Sequence, residues 1–187
     1  LKGLTLWNKI DKRLDDAILR AVATTLEEEG IQVLASTCYL EHLLFPQGIL
    51  GKSKPSKEQL ADIHFAWKIA REIGRLDIGQ CVVVREGAVL AIEAIEGTDA
   101  AIKRGGELAG SGAVVVKMRK PGQDFRFDLP ATGTKTIETL ASVKGTVLAV
   151  EAGQSLIFDR EEMITAADQA KISVLGVQED ATGNLLF

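Results

Sequence analysis

The chain has 187 residues, enough for one good-sized domain or one and a fraction, with 46% hydrophobic and 26% charged residues. Its 22 basic against 26 acidic residues leave a net charge of −4, which argues against a nucleic-acid binder, where a basic surplus is the rule. No apolar run approaches the roughly 18 residues of a membrane span. Cys38 and Cys81 stand alone, without C-x-x-C spacing or the numbers for a disulfide framework, so a reducing cytoplasm is expected.

Asp11 to Glu29 reads as an amphipathic helix, with Leu14, Ile18, Ala21, Val22 and Leu26 at steps of three and four and Gly30 as its stop. Ile31 to Ala35 is expected to be a short strand. Helix, glycine and strand make half of a βαβ unit whose partner strands would precede it, the end of a Rossmann-like domain. Ser36 and Thr37 follow, where open α/β sheets hold ligands. Thr37 is a candidate there, although two hydroxyls satisfying a turn are the plainer reading.

Leu43 to Ser56 carries two prolines, two glycines and two lysines and is the candidate linker. Ser56 and Gln59 then match a capping box, and Leu60, Ile63, Trp67, Ala70 and Ile73 form the buried stripe of a helix closed by Gly74. His64 reads as a packed or surface residue. With His42 far away in sequence, no histidine metal site is expected.

From Gln80 the pattern turns to strands: Cys81–Val84, a turn at Glu86-Gly87, and Val89–Ile95. Thr98 suits a helix N-cap, and the helix should run to about Ala109. Helix N-termini attract anions, so Glu96, Gly97, Thr98 and Asp99 suit a phosphate or a metal–phosphate pair; plain capping is the alternative. Gly105, Gly106, Gly110 and Gly112 precede a strand instead of joining strand to helix. They fail the phosphate-loop signatures and read as helix end and connector.

The hydrophobic run Ala113–Val116 leads into Lys117, Arg119, Lys120, Gln123, Asp124, Arg126 and Asp128 around a Pro121-Gly122 turn. Alternation over Phe125–Leu129 predicts a strand, with both aspartates on one face and Phe125, Phe127 and Leu129 inward. Two carboxylates on one face suit a hard cation such as Mg²⁺, or a metal ligand with a general base, and the cations suit a phosphorylated substrate. A solvated hairpin fits the same pattern. Thr134 to about Val143 is expected to be helical. Residues 145–152 repeat 87–94 with six of eight identities, which predicts two edge or hairpin strands in pseudo-symmetric positions with Glu93 and Glu151 in the same phase. A helix opening at Asp159 or Arg160, a strand over Ile172–Val177 and a loose tail to Phe187 complete the chain.

KPGQDFRFDLPATG (120–133), with AIEAIEGTDAAIKRGG (91–106), resembles the C-terminal domain of the UDP-2,3-diacylglucosamine pyrophosphatases of lipid A biosynthesis, the LpxI type, and the resemblance extends over essentially the whole chain. It implies two domains holding substrate between them. It also implies metal-dependent hydrolysis, with Mg²⁺ or Mn²⁺, of a UDP-linked diacylated glucosamine to UMP and 2,3-diacylglucosamine 1-phosphate. Such an enzyme would be cytoplasmic and peripheral to the inner membrane of a Gram-negative bacterium, meeting its lipid substrate at the membrane surface; a homo-oligomer stays open. A catalytic, metal-binding aspartate of the family falls at Asp124 or Asp128. Lys117 and Lys120 would contact phosphates, supported by Gln123, with Glu96, Gly97, Thr98 and Asp99 completing the pocket.

The expected fold is α/β: residues 1–52 as the remnant of a longer Rossmann-like domain with its linker, and 53–187 as a mixed-sheet catalytic domain. A non-catalytic nucleotide-sugar domain and a nucleotidyltransferase are the alternative functions.

Overall fold

Residues 15–187 are described by the computed structural model, and they divide into two units: one runs to His42 and includes Gln123–Leu129, the other holds Leu43–Gly122 and Pro130–Phe187. In the first unit, α1 (Asp15–Glu28) carries most of the helix expected over Asp11–Glu29. Residues 11–14, Leu14 among them, lie outside the described residues. The helix stops at Gly30, whose φ of +81° suits glycine, and the Ile31 N–H folds back to the Leu26 carbonyl.

The strand expected over Ile31–Ala35 does not form. Ile31 and Leu34 are exposed, and no neighbour among the described residues bonds the segment as a ladder. A short apolar run becomes a strand only beside a partner for its backbone groups. A turn of 3₁₀ helix over Ser36–Tyr39 follows.

The second unit is built on one mixed sheet. Its strands are β1 (Gly48–Leu50), β2 (Cys81–Arg85), β3 (Ala88–Ile92), β4 (Val114–Lys117), β6 (Val147–Glu151) and β8 (Ser173–Glu179), in the order β1-β8-β6-β4-β2-β3. The central β4, β6 and β8 are parallel and covered on both faces, which is why they read as continuous apolar runs rather than alternating ones. α2 (Lys57–Arg75) covers one face through Ile63, Ala66, Trp67 and Ala70. α3 (Thr98–Ala109), α4 (Thr134–Ser142) and α5 (Arg160–Ala170) cover the other, around Ile102, Ile137, Leu140 and Met163. A short parallel pair, β5 (Ala131–Thr132) with β7 (Leu156–Ile157), lies off this sheet. The α/β class and mixed sheet expected from the sequence are present.

The Ser56–Gln59 capping box forms, and all of the α2 stripe is buried except the half-buried Leu60. Gly105 and Gly106 lie inside α3, where added Cβ atoms would come within 2.6 Å of Val83 and 2.1 Å of Val143; Gly110 caps the helix. The linker segment Leu43–Ser56 contains β1, which pairs antiparallel with β8. The tail is not loose: β9 (Leu185–Leu186) pairs with β8, and the Phe187 ring meets His64 edge-on. The repeat is not pseudo-symmetric either. β3 is an antiparallel edge and β6 an interior parallel strand, so alternation turns Glu93 toward the α3 face and Glu151 toward α2.

The β2–β3 turn is locked from α2. Buried Asp62 accepts the Glu86 and Gly87 N–H groups at 2.9 and 2.7 Å, holding both turn residues at positive φ. Asp62→Ala strands these donors and should cost roughly 1–3 kcal/mol. Urea unfolding should show a lower midpoint at unchanged slope. An unmoved midpoint would show that the lock contributes nothing.

Candidate anion pocket and carboxylate turn

In the second unit two helices begin beside the carboxyl end of a parallel strand. α3 starts at Gly97 (φ +83°) and α4 at Gly133, and between them β4 ends in Lys117. Glu96, Gly97, Thr98, Asp99, Lys117, Ala131, Lys135 and Thr136 line a cavity of about 360 Å³. First-turn N–H groups and the positive end of each helix favour an anion there.

Lys117 is 5% exposed, and its Nζ donates to the Ala131 carbonyl at 2.7 Å. Burial pushes its pKa down, while the Glu93 and Asp99 carboxylates favour the ammonium. The two lining carboxylates are engaged with cations: Glu96 with Arg104 at 2.6 Å, Asp99 with Lys135 at 3.5 Å. Thr98 is not the N-cap. Gly97 holds that position, and the Thr98 hydroxyl donates to Glu93 Oε1 at 3.0 Å. Lys120 is outside this lining and donates to Asp77 at 2.7 Å.

Gln123, Asp124, Asp128 and Thr37 belong to the first unit. The strand expected over Phe125–Leu129 is instead a turn of helical character, with the Asp128 N–H on the Asp124 carbonyl at 2.9 Å. Phe125, Phe127 and Leu129 are half-buried, as are the polar residues between them, so the two-faced pattern is absent. The aspartates are neighbours for a different reason, since positions four apart share a face over one helical turn.

Arg126 organises the turn. It binds Asp124 through Nε and Nη2, reaches Glu27 of α1 through Nη1 and lies 5.5 Å from the Phe127 ring centre; its carbonyl accepts the Ser36 N–H at 2.7 Å. Those hydrogen bonds hold the Asp124 pKa down to about 2. Asp124 is therefore ionised at neutral pH. Its stabilising contribution is complete above the ordinary value of 3.8 and lost as pH falls toward 2. Gln123 donates to Asp128 Oδ2 at 3.1 Å. Thr37 is buried in the 3₁₀ turn.

Among the described residues, no group of three or more histidine, cysteine or acidic side chains is placed to hold a metal ion. Mg²⁺ does not require one: it is commonly held by one or two carboxylates, waters and substrate phosphates. Asp124 and Asp128 fit that donor set. Lys135 and Thr136 were missed as pocket residues. The signal was present in Gly133-Thr134, which opens α4 much as Gly97-Thr98 opens α3.

A buried lysine and two helix N-termini at the end of a parallel strand give this α/β protein a pocket whose chemistry suits an anion. Residues 46–175 match the LpxI C-terminal domain and residues 1–43 the LpxI N-terminal domain, so the chain belongs to the LpxI family. It is 45% identical over 171 residues to the UDP-2,3-diacylglucosamine pyrophosphatase LpxI of Caulobacter vibrioides, covering 87% of this chain and 61% of that protein's length. Among solved structures, RibD of Acinetobacter baumannii (form 2) aligns over 60% of this chain and 34% of its own, at 14% identity and a TM-score of 0.35, too slight a likeness to carry an argument.

Proposed function

We propose that the chain hydrolyses the pyrophosphate of UDP-2,3-diacylglucosamine, giving UMP and 2,3-diacylglucosamine 1-phosphate. The 45% identity to the Caulobacter pyrophosphatase carries this reading, and the pocket supports it chemically. Lys117 and the first turns of α3 and α4 hold phosphoryl oxygens, and the donors fixed there oppose the charge that builds on them. Water adds to the α-phosphorus, the bond to the bridging oxygen breaks, and the diacylated sugar phosphate departs. In the first unit, Asp128 is the residue we assign to the attacking water and its proton, and Asp124 stays ionised beside Arg126. A divalent cation on these carboxylates would supply charge neutralisation at the phosphates. The acylated substrate is met at a membrane surface; no helix among the described residues is long and apolar enough to cross one.

The test is incubation with UDP-2,3-diacylglucosamine and Mg²⁺, following UMP. Binding of the nucleotide without UMP release would leave a non-catalytic binding domain instead. EDTA should abolish turnover and Mg²⁺ or Mn²⁺ restore it, because the candidate ligands are hard oxygens. Turnover that survives thorough chelation would remove the metal from the scheme.

A further inference from the structure

Glu93, Cys81 and Lys117 stand in one row across three strands. Cys81 is the register partner of Lys117, and its carbonyl accepts the Glu93 N–H at 2.9 Å, so β2 lies between the two charged residues. Cys81 belongs to the core on the α3–α4 face, as do Val115 of β4 and Ala91 of β3, two residues before Lys117 and Glu93. Alternation puts all three side chains on that face. The outer strands are about 10 Å apart at the usual sheet spacing. Across the small Cys81 side chain, a glutamate and a lysine can lean toward each other.

Glu93 is held in this row. A Cβ at Gly79 would come within 2.0 Å of the Glu93 carbonyl oxygen, so the two backbones are pressed together. Its Oε1 accepts the Thr98 hydroxyl, while Oε2 is buried with only the Gln80 backbone near enough to favour its charge and no well-formed hydrogen bond. A buried carboxyl with an unsatisfied oxygen is costly unless another group compensates.

We propose that Glu93 is a positioning residue of the pocket: it fixes the first turn of α3 through Thr98 and supplies the counter-charge that lets buried Lys117 hold an anion. The pocket's use in catalysis rests on the function proposed above; the pairing does not. Burial pushes the Glu93 pKa up and that of Lys117 down, and each group favours the charged form of the other. Cys81 from β2, Asp99 and Glu96 from α3 and its lead-in, and Lys135 from α4 complete the titratable surroundings of Lys117. Burial and Glu93 both raise the Cys81 pKa and keep the thiol neutral.

Glu93→Gln keeps the size and the oxygen that accepts from Thr98 but removes the charge. NMR titration of ¹³C-labelled lysine, with Lys117→Met for assignment, should show Lys117 losing its proton at lower pH in Glu93→Gln than in wild type. Hydrolysis should follow, with the loss of kcat/KM in Glu93→Gln deepening with pH by about tenfold between pH 6 and pH 9. An unmoved Lys117 titration would overturn the pairing. Wild-type protein that releases no UMP, with the Lys117 shift intact, would sink the proposed reaction and leave the pairing standing. If Glu93→Gln fails to fold, Lys117→Met serves as the reciprocal probe: Glu93, followed through its carboxyl carbon, should then take up its proton at higher pH, and no change would count against the proposal.

Discussion

Replacing Asp128 by asparagine is expected to lower turnover about 100-fold or more while the protein stays folded. Asparagine has nearly the same shape and keeps an oxygen for the Gln123 amide, which Asp128 accepts at 3.1 Å, so little but charge and basicity is lost. Asp124 should behave differently. Its two oxygens take three hydrogen bonds from the Arg126 side chain and a fourth from the Arg126 N–H. Asp124→Asn would weaken that clamp as well as any metal site, and the variant should unfold more easily in acid-to-neutral denaturation series than Asp128→Asn. Turnover and urea unfolding measured on both separate the roles. Full activity in Asp128→Asn would remove this aspartate from the reaction, and loss of fold in both would make the turn purely structural.

Lys117→Met should be the other severe change, lowering kcat/KM by roughly 10²–10³, the scale for removing one preorganised donor from a developing oxyanion. Methionine fills the buried slot without a charge, so packing is largely kept. The Ala131 carbonyl loses its partner, a cost of roughly 1–3 kcal/mol that would appear in unfolding rather than in rate. Equal loss in kcat and kcat/KM would mean that the ammonium acts on the transition state; a rise in KM alone would mean uniform binding. Wild-type kinetics would exclude Lys117 from the phosphate site.

The sequence made the second unit legible wherever one local signal decided the outcome. Ser56 and Gln59 mark the start of α2, the apolar runs mark β4, β6 and β8, and Glu86-Gly87 marks a hairpin turn. It failed where a neighbour distant in sequence decided. Alternation at Phe125–Leu129 suggests a strand, but among the described residues no strand pairs with it, and Arg126 finds Glu27 almost a hundred residues away. Thr98 has the right chemistry for a cap, but Gly97 already holds the position and Glu93 claims the hydroxyl. Of the expected pocket residues, Glu96, Gly97, Thr98, Asp99 and Lys117 come together. Lys135 is not legible in the sequence as a pocket residue, because only the fold brings the α4 N-terminus to that of α3. The repeat misled for a plainer reason: near-identical octapeptides fix a pleat, not which neighbour it pairs with.

The pairing of β1 with β8 also has a consequence for synthesis. Gly48 meets Gly176, about 130 residues later in the chain, and a Cβ at Gly176 would lie 1.8 Å from the Pro46 carbonyl. At typical elongation rates Phe45 and Leu50, both buried in the finished unit, wait on the order of 6–25 s on the ribosome for their partner strand to emerge. During that wait these apolar side chains have no place to go, which makes the segment a natural holding site for chaperones. This edge of the sheet closes only after Gly176 and its neighbours in β8 have emerged.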